Sequence, residues 1–397
     1  MNYLDKKTVQ DIEVEGKRVL LRCDFNVPLD KNGNISDTSR IDQALETIEY
    51  LRAKDAKIIA CSHLGRPKGK FEKQFSLAPV AKYLSDVLKR EVKLSDDVVG
   101  ESAKKIVSEL KDGDVCLLEN LRFEPGEEAN DSEFSKKLAF LADIYVNDAF
   151  GTCHRSHAST VGVTQYLPSV CGLLVEKEVG AIMKIMESPE HPFVAIVGGA
   201  KISDKIGMIN SLLDKVDTLI LGGGMANTFM NALGYSVGKS LCESDKVIAA
   251  KDIMAKAKEK DVRLTLPFDV KVTKEFKENA ELQVVEADKI PEECTSLDIG
   301  PKSCKQFEEV IKEAKAILWN GPMGVCEFPK CAEGTNAIAK FISESHARAV
   351  IGGGDSAAAV RKSGYLNKLT YISTGGGATI KLVEGGAMVA LECLEDK

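Results

Sequence analysis

At 397 residues the chain is longer than one hydrophobic core usually serves, and with 44% hydrophobic residues it can fill two. A net charge of −7 argues against a general affinity for nucleic acid or anionic membrane, so any basic site must be a local concentration. Eleven cysteines with no Cys-x-x-Cys pair, a polar N-terminus and no apolar run approaching ~18 residues predict a cytoplasmic protein with reduced, mostly buried thiols.

In the first half, apolar runs end in charged loops. Val19-Leu20-Leu21 leads into Arg22-Cys23-Asp24-Phe25-Asn26, and a helix is expected over 41–52. Ile58-Ile59 leads into His63-Leu64-Gly65-Arg66, with helices expected over 77–88 and 103–110. Leu117-Leu118 leads to Arg122, and Ile144-Tyr145-Val146 to His154-Arg155. Arg22, Arg40, Arg66, Arg122 and Arg155 thus follow strand ends, which converge on one crevice in an open α/β sheet. With His63 and His157 they would repel across an empty cleft, which implies a small anion between them. Arginine suits that ligand because its fork matches carboxylate and phosphate oxygens. Asp24 and Asn26 suit a hydroxyl. The three histidines, His154 included, could suggest a metal, but the arginines oppose a cation.

Between the halves, Val175, Val179, Ile182, Met183 and Met186 fall at helical spacing and Pro189 closes the segment, which predicts a helix over 173–187 joining two domains.

The second half ends its apolar runs in glycine. Phe193-Val194-Ala195-Ile196-Val197 precedes Gly198-Gly199, Leu219-Ile220-Leu221 precedes Gly222-Gly223-Gly224, Val350-Ile351 precedes Gly352-Gly353-Gly354, and Tyr371-Ile372 precedes Gly375-Gly376-Gly377. Glycine between strand and helix lets backbone N–H groups approach an anion at the positive end of a helix. Lys201 and Lys205, at i and i+4, are expected on one face of a helix over 202–213, where they repel unless an anion lies between. Further helices are expected over 247–258 and 307–311. Trp319-Asn320-Gly321-Pro322 bends after an apolar run and Glu327 could accept from ribose hydroxyls, although a tight turn around a buried Trp explains the segment equally well. Asp355 is either a ligand for Mg²⁺ beside nucleotide phosphates or a bare helix cap. No Walker P-loop occurs. Gly352, Gly354 and Ala357 match the looser dinucleotide fingerprint, but Thr374 and Gly375 stand where it needs an acid about twenty residues on, so a nicotinamide-dependent oxidoreductase is the runner-up. With only 6% aromatic residues, a nucleic-acid binder is a poor third.

The alternation of short strands with amphipathic helices predicts an α/β fold of two doubly wound, parallel-sheet, Rossmann-like domains. Ten stretches, 19–28, 62–67, 118–130, 145–163, 198–206, 222–229, 298–301, 319–325, 352–358 and 373–378, resemble in order the signatures of the phosphoglycerate kinase family, and the likeness covers nearly the whole chain. The resemblance implies a 3-phosphoglycerate domain over 1–172, a connecting helix over 173–188, a nucleotide domain over 189–374 facing the first across a cleft, and a segment over 375–397 that returns to the first domain. It implies that Asp24 and Asn26 hold the hydroxyl and carboxyl end of the substrate, and that His63, Leu64, Gly65, Arg66, Arg122 and Arg155 bind its phosphate side. Arg40 would face the phosphoryl group in flight. Lys201, Lys205, Gly223, Asn320, Glu327, Gly353, Gly354, Asp355 and Ser356 would bind ATP or ADP, with Asp355 carrying Mg²⁺; Arg40, Lys201 and the helix N-terminus at Gly377 would be catalytic. The partners implied are 3-phosphoglycerate and 1,3-bisphosphoglycerate, with no nucleic acid or membrane, on a monomer. A carboxylate nucleophile is already ionised at neutral pH, so no general base is needed and alignment and charge neutralisation remain. Closure about the helix and the Ser373-Thr374 region would exclude water. The chain departs from the family pattern at Cys153, Cys326, Lys381 and Gly385-Gly386-Ala387-Met388.

Overall fold

A computed structural model describes residues 2–365 and 371–397. The chain divides into two compact units, Met1–Gly180 with Ala387–Lys397, and Ala181–Gly386.

In the first unit six strands, β1 (Arg18–Arg22), β2 (Lys57–Cys61), β3 (Lys93–Leu94), β4 (Val115–Leu117), β5 (Ile144–Asn147) and β6 (Ser169–Cys171), form a parallel sheet in the order β3-β4-β2-β1-β5-β6. Apart from the short edge strand β3, the strands are buried on both faces, which is why they read as continuous apolar runs rather than alternating ones. Val19, Leu21, Ile58, Ala60 and Val146 share one core with Ile41, Ala44, Ile48 and Leu51 of the helix Ser39–Ala53 and with Val80 and Leu84 of the helix Ala78–Leu88. The strand order reverses between β1 and β5, and the carboxyl ends of both strands open there, where open α/β sheets bind ligands.

In the second unit β7 (Phe193–Val197), β8 (Thr218–Leu221), β9 (Arg263–Thr265), β13 (Ala316–Asn320), β14 (Arg348–Gly352) and β15 (Tyr371–Ile372) form a second parallel sheet, ordered β15-β14-β13-β7-β8-β9. The fold class is therefore the expected one. A three-stranded antiparallel sheet, β11-β10-β12, adds to it, built from β10 (Asp269–Thr273), β11 (Gln283–Glu286) and β12 (Thr295–Ile299). It covers a small core of its own, Val270, Val272, Ala287 and Ile290, against Ala226 and Met230.

Helices stand near their expected places, at Glu101–Ser108, Leu173–Glu187, Val247–Glu259 and Pro301–Glu313, the last opened by proline at its first position. One expectation fails: the helix expected over 202–213 begins only at Ile206 and ends at Leu212, because Gly199 takes φ +108° and Lys205, at φ −135° and ψ 4°, is still outside helical geometry. The returning segment also starts later than expected. Gly375 to Gly386 belong to the second unit, where the helix Gly377–Val383 buries Ala378, Leu382 and Val383 and the Val383 carbonyl accepts from Ser211 Oγ. From Ala387 the chain packs with the first unit. The Lys6 ammonium, nearly buried, donates to the Leu394 carbonyl at 2.8 Å and pairs with Asp396 at 2.8 Å, while the Ala390 amide donates to the Cys153 carbonyl and the Glu395 amide to the Ser169 carbonyl.

Candidate functional site

At the carboxyl edge of the first sheet the loop after β1 carries Asp24 and Asn26, and the loop after β2 carries His63 to Arg66. Asn26 Oδ1 accepts from the Gly65 amide at 2.9 Å, and Ser62 Oγ accepts from the Phe25 amide at 2.8 Å, so the two loops hold each other. A third loop is tied in by the fully buried Asn120. Its oxygen accepts from the Leu64 and Arg122 amides, and its nitrogen donates to the Leu64 and Phe75 carbonyls. Arg122 Nη1 in turn donates to the Gly65 carbonyl at 2.7 Å. Arg40, from the first turn of the helix Ser39–Ala53, reaches Asp24 at 2.8 Å and keeps about a third of its side chain exposed. Arg66 is exposed and Arg155 half-buried.

His63 is buried and receives a hydrogen bond on Nδ1 from Arg22 Nη2 at 3.3 Å. Arginine only donates, so Nδ1 is an acceptor and the imidazole proton sits on Nε2. Burial first, and then the positive charges of Arg22, Arg122, Arg155 and Arg40, hold its pKa well below the ordinary histidine range. His157 is pushed down to about 4 by burial and by Arg22, Arg122 and Arg155. The histidines therefore add donors without adding charge, which removes part of the repulsion expected from sequence.

Arg22 does not join the anion-binding set as expected. It is fully buried, donating through Nε to Ser159 Oγ at 2.8 Å and through Nη1 to the Cys23 carbonyl, with Glu127 at 4.0 Å. Glu127 is equally buried and accepts from the Ser159 amide at 3.0 Å and its hydroxyl at 2.6 Å. Arg22 therefore backs His63 from within the fold. Nothing in the sequence distinguishes it from Arg40, because Glu127 lies more than a hundred residues away.

In the second unit the glycine clusters meet at the ends of β7, β8, β13 and β14. Gly198 donates to the Asn320 carbonyl and Gly199 to the Pro322 carbonyl, both at 2.9 Å. A Cβ at Gly223 would stand 2.6 Å from the nitrogen and oxygen of Gly199, so only glycine allows that approach. Ser356 Oγ accepts from the Gly321 amide at 2.7 Å, joining the Asn320-Gly321 turn to the helix Gly354–Ser363. Gly353, at φ +91°, precedes that helix; Asp355 is exposed on its first turn and Gly377 opens the next.

The two lysines part company. Lys201 is exposed, whereas Lys205 is nearly buried and donates to the carbonyls of Gly198 at 2.7 Å and Asn320 at 3.0 Å. Lys205 precedes its helix, so the shared helical face expected for the pair does not exist. Burial lowers the Lys205 pKa to about 8, with Asp355 and Asp204 opposing the fall. The amide nitrogen of Asn320 is buried without a partner and lies near Gly352 and Gly353.

A cavity of about 300 Å³ opens beside these loops, lined among others by Gly199, Gly223, Leu297, Met323, Glu327 and Asp355. Its apolar walls were not foreseen, since Leu297 lies on the unexpected antiparallel sheet. Next to Leu297 on the same wall, Asp298 accepts from the amides of Ile299 and Gly334, both at 2.9 Å, and pairs with Lys271 at 3.2 Å. Among the described residues no cluster of three or more His, Cys, Asp or Glu side chains could cage a metal ion, and no helix is long and apolar enough to cross a membrane.

The family model for phosphoglycerate kinase matches residues 9–386. A phosphoglycerate kinase of Clostridium perfringens is 56% identical over 400 residues, and one of Clostridium botulinum 54% identical over 399, each alignment covering 100% of both chains. The structure of phosphoglycerate kinase from Coxiella burnetii superimposes with a TM-score of 0.87 at 42% identity, and that from Pyrococcus horikoshii with 0.84 at 32%, each covering 98% of both chains.

Proposed function

The chain belongs to the phosphoglycerate kinase family, and from that premise we propose how its residues divide the work of moving a phosphoryl group between ATP and the carboxylate of 3-phosphoglycerate. The overall reaction is that of the family: a kinase acting on a carboxyl group, giving 1,3-bisphosphoglycerate and ADP reversibly in glycolysis. In our reading the first unit holds 3-phosphoglycerate and the second holds the nucleotide. The observation that carries this division is chemical: the first sheet ends in Arg40, Arg122, Arg155 and a neutral His63, while the second ends in glycine amides, Lys205 and a cavity with apolar walls.

Asp24 and Asn26 bind the hydroxyl and carboxyl end, with Asp24 also aiming Arg40. His63, through Nε2–H, and the Leu64-Gly65-Arg66 loop with Arg122 and Arg155 bind the phosphate end. Lys201, Lys205, Gly223, Gly353, Gly354 and Ser356 surround the nucleotide phosphates, Asn320 contacts the nucleotide from beside Gly353, and Glu327 accepts from the sugar hydroxyls. The exposed carboxylate of Asp355 fits Mg²⁺, which keeps several waters and takes one or two carboxylates plus phosphate oxygens rather than an all-protein cage. When bound, Mg²⁺ neutralises charge on the nucleotide phosphates. The substrate carboxylate attacks the γ-phosphorus in line, with Arg40, Lys201 and the helix N-terminus at Gly377 facing the equatorial oxygens, and ADP leaves with the electron pair. Closure about the helix Leu173–Glu187 and the Ser373-Thr374 region brings the substrates together and keeps water from the acyl phosphate. The enzyme works as a cytoplasmic monomer.

A coupled assay with 3-phosphoglycerate and MgATP tests these assignments. Arg40→Ala and Lys201→Ala should each lower kcat by at least about a hundredfold, the scale of losing one transition-state contact; full activity in both would remove them from catalysis. Solution scattering that shows no compaction with both substrates bound would remove closure.

A further inference from the structure

Gly180 stands in the middle of the helix Leu173–Glu187. Glycine is the poorest helix former after proline, because its backbone gives up the most freedom on ordering. Inside a helix it is explained where a neighbour leaves no room for a side chain or where φ is positive. Gly207, Gly224 and Gly334, also helical, have the first reason: a Cβ on each would stand under 3.0 Å from a neighbouring atom. Gly180 has neither. It is helical without a positive φ, and a Cβ built on it would meet nothing within 4 Å beyond its own helix. The fold as it stands would accept alanine there, and alanine would strengthen the helix.

The two units divide between Gly180 and Ala181, and each half of the helix is fastened to its own unit. On the N-terminal side the Leu173 amide donates to Thr47 Oγ1 at 3.0 Å and the Leu174 amide to Asp148 Oδ1 at 2.9 Å, while Val175 and Val179 are buried. On the C-terminal side Lys215 Nζ donates to the Met186 carbonyl at 2.8 Å, and Ile182, Ile185 and Met186 are buried. The residue least committed to helical geometry therefore sits where the hold of one unit gives way to that of the other.

We propose that Gly180 is the point at which the connecting helix bends as the enzyme closes. This rests on the closure reading above and adds the single residue at which the helix yields. Glycine lets the helix kink there without straining a side chain, whereas alanine holds the regular geometry.

The test compares Gly180→Ala with Gly180→Asn. Alanine is small and a strong helix former, asparagine larger and a weak one, so the pair separates stiffness from bulk. In the coupled assay Gly180→Ala should lower kcat by about three- to fivefold, the scale of the alanine–glycine propensity gap, and Gly180→Asn should stay within about twofold of wild type. The alanine variant should also unfold at a higher temperature and exchange the amide hydrogens of residues 180–184 more slowly, while binding 3-phosphoglycerate alone and MgADP alone as the wild type does. A wild-type kcat or wild-type exchange in Gly180→Ala overturns the proposal, as does an asparagine variant slower than the alanine one, which would mean that closure needs room at Gly180 and not pliancy. Scattering that shows the wild type compacting with both substrates while Gly180→Ala keeps full activity removes this proposal alone; no compaction in the wild type removes the closure reading on which it rests.

Discussion

Raising the pH from 7 to 9 should weaken nucleotide binding through one buried ammonium. Lys205 has three N–H donors; two are committed to the carbonyls of Gly198 and Asn320, which leaves one for a phosphate oxygen. Burial lowers its pKa to about 8 in the free protein. With that value roughly nine-tenths of the side chains are charged at pH 7 and about a tenth at pH 9. A polyphosphate beside it favours the charged form, so binding at pH 9 must draw a proton from solvent, about 0.9 per nucleotide against about 0.1 at pH 7, and affinity falls about tenfold over the interval. Titration calorimetry with MgADP in buffers of different ionisation enthalpy reads that uptake directly. The thiol of Cys326, on the same cavity wall, is pushed up by burial, so it does not supply the signal. Lys205→Met should abolish the uptake, and Lys205→Arg should abolish it while keeping a positive charge. An uptake at pH 9 that persists in Lys205→Met, or none in the wild type, would refute the assignment.

Three further outcomes follow from the described contacts. Glu127→Gln leaves the Arg22 charge buried without its counter-ion and should cost the first unit about 3 kcal/mol, the lower end for breaking a buried pair; hydrogen exchange of first-sheet amides measures this, and a loss under about 1 kcal/mol would show that Ser159 and the Cys23 carbonyl suffice. Gly321→Ala would force φ +98° on alanine and press its Cβ on the Gly198 carbonyl and Lys205 Nζ, so the KM for ATP should rise while that for 3-phosphoglycerate stays constant, with a stability cost of roughly 1–3 kcal/mol. Burial raises the Asp298 carboxyl from 3.8 to about 6, so the folded state binds its proton more tightly than the unfolded one; this contribution to stability is complete below pH 4 and is lost as pH rises through 6. Between pH 4 and pH 6 the wild type should lose about 2 kcal/mol relative to Asp298→Asn, and parallel pH profiles would contradict the raised pKa.

The parallel sheets could be read from sequence because buried strands spell unbroken apolar runs, and glycine clusters mark where they give way to helices. Asp269-Val270-Lys271-Val272-Thr273 spells a different strand, alternating polar and apolar with one face on Ala226 and Met230, and so belongs to the antiparallel sheet that was not expected. Lys201 and Lys205 have helical spacing, but the spacing cannot show that two carbonyls draw Lys205 inward before the helix begins. Arg22 and Arg40 both follow the first strand region, and only the fold sets one against Glu127 and the other against Asp24. Asn120 carried no signal at all, since its role is to join loops 56 and 45 residues away in sequence.

The hydrogen bonds that fasten residues 387–397 to Lys6, Cys153 and Ser169 bear on biosynthesis. These residues leave the ribosome only after the whole of the second unit, so the first half of the chain waits through more than two hundred further residues before its last contacts can form. A chain truncated after Gly386 should therefore keep a complete second unit and an incomplete first one. Proteolysis of such truncated chains would cut first in the segment made earliest.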